Sequence, residues 1–288
     1  MRLLFSFLLS FAVAAPAFAQ EPIKAVASFT ILGDLVAQVC GDHCDVTTIV
    51  GPDADAHIYE PSMGDAIAVA EADIVFVNAM GFETWSETLI QNSGTSAETI
   101  NVNVNSDALY VEGEIDPHAW NDPANAIAMM QVIADSLSAI APAKSAAFEA
   151  NMATTVADLN DSIIPLMARI AALPADRRTV VTAHDAFGYL GRAAGLTFLA
   201  PLGIDGEGEP SAKELAGLID QIQATGAAAL FVENVNSPAL VQQIADETGL
   251  SIGGRLFSDS LSEKGGPAST YRNMMVHNLS AILTELEK

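Results

Sequence analysis

Beyond Ile23, short β-branched runs alternate with longer Ala- and Leu-rich stretches, the pattern of parallel sheets wrapped by helices. In the first half it predicts strands over Lys24–Ser28, Asp45–Val50, Asp73–Asn78 and Thr99–Asn103, with helices over Ile31–Val39, Ser62–Ala70 and Glu83–Gln91. The second half repeats the rhythm. Its strands are expected over Thr179–Ala183, Thr197–Ala200, Ala229–Glu233 and Ser251–Leu256, and its helices over Phe187–Ala194, Ala212–Ala224, Pro238–Thr248 and Ser269–Glu287. Between the halves, Pro123 to Leu173 has no strand signal and no Gly. A helix over Pro123–Ile140 should stop before Pro142, because Pro is tolerated in a first turn and not within a helix. A second helix follows from Ala143 to Leu173, carrying Phe148, Met152, Val156, Leu159, Ile163, Leu166 and Ile170 at three- and four-residue spacing, with a kink expected at Pro165. Some thirty helical residues span roughly 45 Å at 1.5 Å each. The expected fold is α/β: two doubly wound parallel-sheet lobes, residues 20–141 and 174–288, joined by a long rigid linker helix over 142–173. Such a spine favours small loop and lobe movements over wide hinge closure.

The N-terminus changes the compartment. Arg2 precedes an apolar run from Leu3 to Ala15, and after Pro16 the segment ends in Ala17-Phe18-Ala19. A positive start, an apolar stretch and an A-x-A site describe a secretory signal peptide over 1–19, with cleavage before Gln20. A spanning helix wants about 20 apolar residues, more than this run supplies. The mature chain is therefore expected in the periplasm, where thiols oxidise. Its two cysteines, Cys40 and Cys44, are expected to pair as a disulfide closing the turn Gly41-Asp42-His43. A zinc site of Cys40, Cys44 and His43 is the alternative, and it leaves a fourth ligand unspecified.

Charge excludes several partners. With 12 Lys+Arg against 36 Asp+Glu the formal net charge is -24, which repels phosphate backbones and anionic lipid. Hydrophobic residues make up 50% and charged residues 17%, far from the composition of a disordered chain. The protein is expected to be a monomer that binds no nucleic acid.

Five histidines are few enough to weigh singly. His57, His118 and His184 each fall past the C-terminal end of a predicted strand, where open α/β sheets bind ligands. Asp259 follows Ser251–Leu256 in the same way. Two candidates thus come from each half, which places them around a cleft between lobes. Three imidazoles and a carboxylate suit tetrahedral zinc. His277 on the last helix and His43 in the cysteine turn read as surface or packing residues. Glu207 and Glu209 read as a solvated loop, Met129-Met130 and Met274-Met275 as core, and Trp120 and Tyr59 as packing against the cleft. There is no Gly-rich phosphate loop, H-E-x-x-H or serine nucleophile elbow. A zinc hydrolase needs an open fourth position, which Asp259 fills, so no enzyme activity is expected. An adhesin or structural periplasmic protein with incidental metal binding is a further alternative.

Four motifs carry a family resemblance. Pro52-Asp53-Ala54-Asp55-Ala56-His57-Ile58-Tyr59-Glu60-Pro61, Asp116-Pro117-His118-Ala119-Trp120, Thr182-Ala183-His184-Asp185-Ala186-Phe187-Gly188-Tyr189, and Phe257-Ser258-Asp259 with Gly266-Pro267-Ala268-Ser269-Thr270-Tyr271 resemble the metal-binding solute-binding proteins of ABC transporters. The ZnuA-like and TroA-like zinc proteins are nearest, and the likeness runs in order over the mature chain. It implies two α/β lobes joined by a long helix, a metal ion held in the cleft by His57, His118, His184 and Asp259, and delivery to a permease in the inner membrane. Manganese members of the family resemble this chain except for a Glu at the third position, where this sequence has His184. The resemblance therefore implies zinc, with manganese or iron as the alternative cargo. The ZnuA-like pattern often includes a His- and acid-rich loop before the second ligand, and Val104 to Ile115 holds no His. This short-loop pattern is similar to the AztC-type branch, some of whose members receive zinc from a periplasmic metallochaperone. Ligands bind deprotonated, so affinity should fall as pH drops through the imidazole range near about 6.5. Asp116 and Asp185 are the candidates to accept the outer N–H of a ligand imidazole.

Overall fold

The computed structural model describes residues 21–288, so the signal peptide expected over 1–19 lies outside the described residues. Strands β1 (Ile23–Phe29), β2 (Cys44–Val50), β3 (Ile74–Val77) and β4 (Glu98–Asn101) form a parallel sheet in the order β2-β1-β3-β4. Ala25 sits between Val46 and Ile74 in this register. All four residues of β3 are buried, as a central strand covered by helices on both faces requires. The covering helices are α1 (Thr30–Cys40), α2 (Met63–Ala70) and α3 (Ser86–Ser93). After β4 comes a small antiparallel hairpin, β5 (Tyr110–Val111) with β6 (Glu114–Ile115), and then α4 (Pro123–Ile140) and α5 (Ser145–Ala171). The second parallel sheet is β7 (Thr179–Val181), β8 (Thr197–Leu199), β9 (Ala229–Glu233) and β10 (Ile252–Leu256), ordered β10-β9-β7-β8. Its helices are α6 (Gly188–Ala194), α7 (Ala212–Thr225), α8 (Pro238–Thr248) and α9 (Tyr271–Leu286). The two orders place a topological switch between β1 and β3 in one sheet and between β7 and β9 in the other. Among the described residues no helix is long and apolar enough to cross a membrane.

Helix starts follow local chemistry. Ser62 and Asp65 make a capping box at α2, Ser211 and Glu214 make another at α7, and Asp122 caps α4 ahead of Pro123. The 27 residues of α5 span about 40 Å and pack against α1, α4 and α9, touching both lobes. Phe148, Leu159, Ile163 and Ile170 are buried along its length. Pro165 lies inside the helix on an exposed face, where water can reach the carbonyl whose partner N–H is missing. The linker begins with a 3-10 turn, Pro142–Lys144, ahead of the α-helix proper. Cys40 and Cys44 form a disulfide across the turn between α1 and β2.

Two differences from the sequence pattern have physical causes. The hairpin β5–β6 was not expected, because strands of two residues leave no periodicity to read; Glu112 and Gly113, both at positive φ, make its turn. Helix α3 begins at Ser86 instead of Glu83, because Glu83 is spent elsewhere. Its Oε1 accepts from Ser28 Oγ at 2.7 Å and from the Asn78 amide at 2.5 Å, tying the loop after β3 to the middle of the sheet. That loop holds Ala79 and Met80 in the left-handed region, a strained conformation for residues with a Cβ. Asn78 continues the chain of bonds to the Pro117 carbonyl at 3.0 Å.

One apolar core runs through both lobes. It joins Val26 and Phe76 of the first sheet to Trp120, to Phe187 and Leu256 of the second lobe, and to Met274 and Leu279 of α9. A smaller core lies among Val181, Leu230, Leu218, Ile222, Val241 and Ile244. Hydrogen bonds cross between lobes as well: Trp120 Nε1 donates to the Ser258 carbonyl at 2.9 Å, Tyr271 Oη to the Trp120 carbonyl at 2.8 Å, Leu261 N to Thr30 Oγ1 at 2.8 Å, and Asn121 Nδ2 to the Ala186 carbonyl at 3.0 Å. Opening such an interface exposes apolar surface and unpaired polar groups together.

Two predictions follow from this framework. Small-angle scattering of metal-free and metal-loaded protein is expected to give superimposable curves, and a marked compaction on loading overturns the rigid-lobe picture. The second concerns Glu83, which is 4% exposed and whose carboxyl is pushed by burial from 4.5 to about 7. Between those values the folded chain holds a proton that the unfolded chain has lost, so stability falls as pH rises from 4.5 to 7. At 1.36 kcal/mol per pH unit this is roughly 3 kcal/mol. Urea unfolding of wild type and Glu83→Gln across that window is expected to show a shallower decline in the variant; parallel declines contradict it.

Candidate metal centre

Four loops at the C-terminal ends of strands meet at the lobe interface. His57 stands in the loop after β2, where its amide donates to Asp55 Oδ1 at 2.8 Å and Trp85 Nε1 donates to the neighbouring Ala56 carbonyl at 2.7 Å. His118 follows the hairpin. Asp116 Oδ1 accepts from its amide at 3.0 Å and pairs with its ring Nδ1 at 2.8 Å, which turns Nε2 toward the cleft. His184 follows β7, and Asp259 follows β10. Phe82 lies edge-on to the His57 ring at 4.6 Å, and Trp120 to the His118 ring at 5.4 Å, so an aromatic wall backs the imidazoles on the first lobe's side.

The four side chains converge. One donor atom from each of His57, His118, His184 and Asp259 falls within 4.8 Å of every other. His57 Nε2 is 3.4 Å from His118 Nε2, Asp259 Oδ1 is 3.5 Å from His118 Nε2, and Asp259 Oδ2 is 3.1 Å from His184 Nε2. Donors on a tetrahedron with metal distances of 2.0–2.2 Å lie about 3.3–3.6 Å apart, so the observed spacing is that of a metal-sized gap. Three of the four, His118, His184 and Asp259, are buried, while His57 is half-buried. Neither carboxylate oxygen of Asp259, nor His184 Nε2, finds a well-directed hydrogen-bond partner among the described residues. Buried polar atoms left so are costly unless another species satisfies them.

Electrostatics separate the members. Burial pushes the His57 imidazole down to about 4, assisted by His118 and His184 and opposed by Asp259. Burial acts in the same direction on His184, but Glu233 and Asp259 outweigh it and raise that imidazole well above 6.5. Burial would raise the Asp259 carboxyl, yet His184, His118 and His57 hold it well below the usual carboxylate range. The site thus sets a charged Asp259 against His184, with neutral His57 at its open side. Asp55 nearby is raised to about 6 by burial and by Asp259.

Of the two aspartates expected behind the imidazoles, Asp116 takes that place at His118. Asp185 does not: its amide donates to the Leu202 carbonyl at 3.2 Å, and the residue lines an open cavity of about 480 Å³ with Glu112, Glu114 and Asp205. Behind His184 stands Glu233 instead, which the sequence reading missed; its Oε2 is 2.6 Å from His184 Nδ1, although the ring N–H is not aimed along that line. The available signal was a carboxylate closing the buried run Ala229–Glu233. The remaining histidines are elsewhere. His43 packs edge-on against Phe148 at 5.9 Å, and His277 Nε2 meets the Arg255 carbonyl at 2.9 Å. Trp120 and the two methionine pairs are packed as expected, with Trp120, Met130, Met274 and Met275 fully buried.

The same architecture occurs in solved structures. The manganese-bound periplasmic metal-binding protein from Candidatus Liberibacter asiaticus is 29% identical, with a TM-score of 0.86 over 92% of this chain and 100% of that one. The periplasmic zinc-binding protein TroA from Treponema pallidum is 28% identical, with a TM-score of 0.86 over 93% of this chain and 99% of that one. Fold and site together define a metal-binding substrate-binding protein of an ABC transporter, not an enzyme. More narrowly, the chain belongs to the ZnuA family, described as zinc-uptake complex component A, periplasmic, whose model matches residues 25–285. Curated relatives include the manganese-binding lipoprotein MntA of Halalkalibacterium halodurans, 29% identical over 270 residues covering 93% of this chain and 90% of that protein. The iron-binding protein YfeA of Yersinia pestis is 30% identical over 281 residues, covering 94% and 89%.

Proposed function

We propose that this protein captures Zn²⁺ in the periplasm, holds it with His57, His118, His184 and Asp259, and hands it to an inner-membrane ABC permease. The observation that carries this reading is the convergence of three imidazoles and one carboxylate, with one donor atom of each within 4.8 Å of every other. The third donor supports zinc over manganese, because an imidazole at His184 is softer than the carboxylate that manganese favours. Buried Asp259 closes the set, so the ion is held and passed on with no chemistry done on it. Release needs a donor to be lost, and the half-buried His57 is the member nearest solvent. The mature chain begins at Gln20 and acts as a monomer. A periplasmic metallochaperone is its candidate zinc donor; transfer from a loaded donor no faster than exchange through free zinc removes that partner.

A second reading keeps the class and changes the cargo. Relatives named for manganese and iron favour it.

Competitive titration decides between them. Wild type is expected to hold one zinc per chain, undisplaced by equimolar manganese. His184→Ala should weaken zinc by more than the 10–100-fold typical of losing a group behind a ligand. His184→Glu should narrow the preference for zinc over manganese. Displacement of zinc by equimolar manganese from wild type establishes the second reading, and binding indifferent to His184 overturns the assigned site.

A further inference from the structure

The two deeply buried imidazoles are supported in different ways. His118 takes its carboxylate from Asp116, two residues away in the same loop. His184 faces Glu233, which comes from the end of β9, the neighbouring strand across the switch point of the second sheet. Glu233 is 3% exposed, and its two oxygens face different parts of His184. Oε1 accepts from the Ala183 amide at 2.7 Å and from the His184 amide at 3.0 Å, while Oε2 stands 2.6 Å from His184 Nδ1. One carboxylate thus binds the backbone at Ala183 and His184 with one oxygen and sets the other against the His184 ring.

We propose that Glu233 is the positioning residue for His184, keeping its proton on Nδ1 so that Nε2 presents a lone pair to the ion. This rests on the reading of His184 as a ligand. The chemistry is directional. Two backbone N–H groups require an acceptor at Oε1, so that oxygen is committed. The second oxygen then offers Nδ1 a negative acceptor and nothing to donate, which fixes the tautomer and makes the ring a stronger donor at Nε2. Because the line between the atoms is not yet along the ring N–H, ligation at Nε2 and donation at Nδ1 set the ring orientation jointly. Glu233 anchors the ligand to β9, in the middle of the second sheet.

Glu233→Gln tests this with little change of shape. The amide has one oxygen and one NH₂. If its oxygen stays on the two backbone N–H groups, the NH₂ faces Nδ1 and drives the ring proton to Nε2, the atom that must hold the metal. If the amide turns over, the NH₂ faces two donors.

The experiment is a double-mutant cycle read by competitive zinc titration on the mature chain, using wild type, Glu233→Gln, His184→Ala and the double variant. Glu233→Gln alone is expected to weaken zinc by about 10–100-fold. In the His184→Ala background it should add less than about 3-fold, because an outer partner whose ligand is absent has nothing left to position. The visible spectrum of the Co²⁺-loaded protein should change in Glu233→Gln, while the melting temperature of the metal-free variant stays near that of wild type. Unchanged zinc affinity and cobalt spectrum in Glu233→Gln overturn the proposal, as does an equal loss in both backgrounds, which marks a general structural role. If wild type binds zinc and His184→Ala does not weaken it, the assignment of the ligand has failed, which is a different result. Should Glu233→Gln not fold, long-range proton–nitrogen NMR of zinc-loaded wild type settles the tautomer. His184 protonated at Nδ1 and ligated through Nε2 supports the proposal, and the reverse overturns it.

Discussion

Three imidazoles and three carboxylates are buried or half-buried within one small volume, and most of the molecule serves to make that tolerable. A carboxylate taken from water without a partner is among the costliest groups a protein can hold. One oxygen of Asp116 is bound by the amide and ring of His118, and one oxygen of Glu233 by two amides while its other lies close to the His184 ring. Asp259 is different. Its oxygens face imidazole nitrogens, and its negative charge remains because those rings hold it there against the cost of burial. A divalent cation completes the balance that the protein alone leaves open.

Holding four donors at metal spacing across an interface demands that the interface not move. The shared core, the buried Trp120 and Tyr271 with their bonds to backbone carbonyls, and α5 lying against both lobes supply that stiffness. His57 is the exception, carried on a longer loop and half open to solvent. The site therefore combines a fixed part, set into two sheets, with a more exposed part through which an ion can pass. The strained loop at Ala79–Met80 belongs to the fixed part, because Glu83 and Asn78 tie it to the sheet and to Pro117, next to His118.

Much of this was legible from residue order. The β-branched runs and the Ala- and Leu-rich stretches placed both sheets and nearly every helix to within a few residues. His57, His118, His184 and Asp259 each followed a strand, and the geometry of parallel sheets carries such residues to one edge. The hairpin after β4 escaped because two-residue strands have no period. Glu83 was read as a helix start because its role depends on Ser28 and Asn78, which are distant in sequence or outside the helical pattern.

What the sequence determined alone was set by local rules: strand and helix periodicity, the caps at Ser62, Asp122 and Ser211, the breaks at Pro142 and the sequence position of each candidate donor. Only the tertiary structure decided which carboxylate stands behind which imidazole. Asp116 and Asp185 occupy similar places beside their histidines, yet one supports a ring and the other faces an open cavity. Glu233, 49 residues from His184, stands behind that ring, and Asp185, a candidate for such a place, does not. The physical reason is that a strand's neighbour in a parallel sheet is chosen by the crossover, not by sequence distance, and β9 lies beside β7.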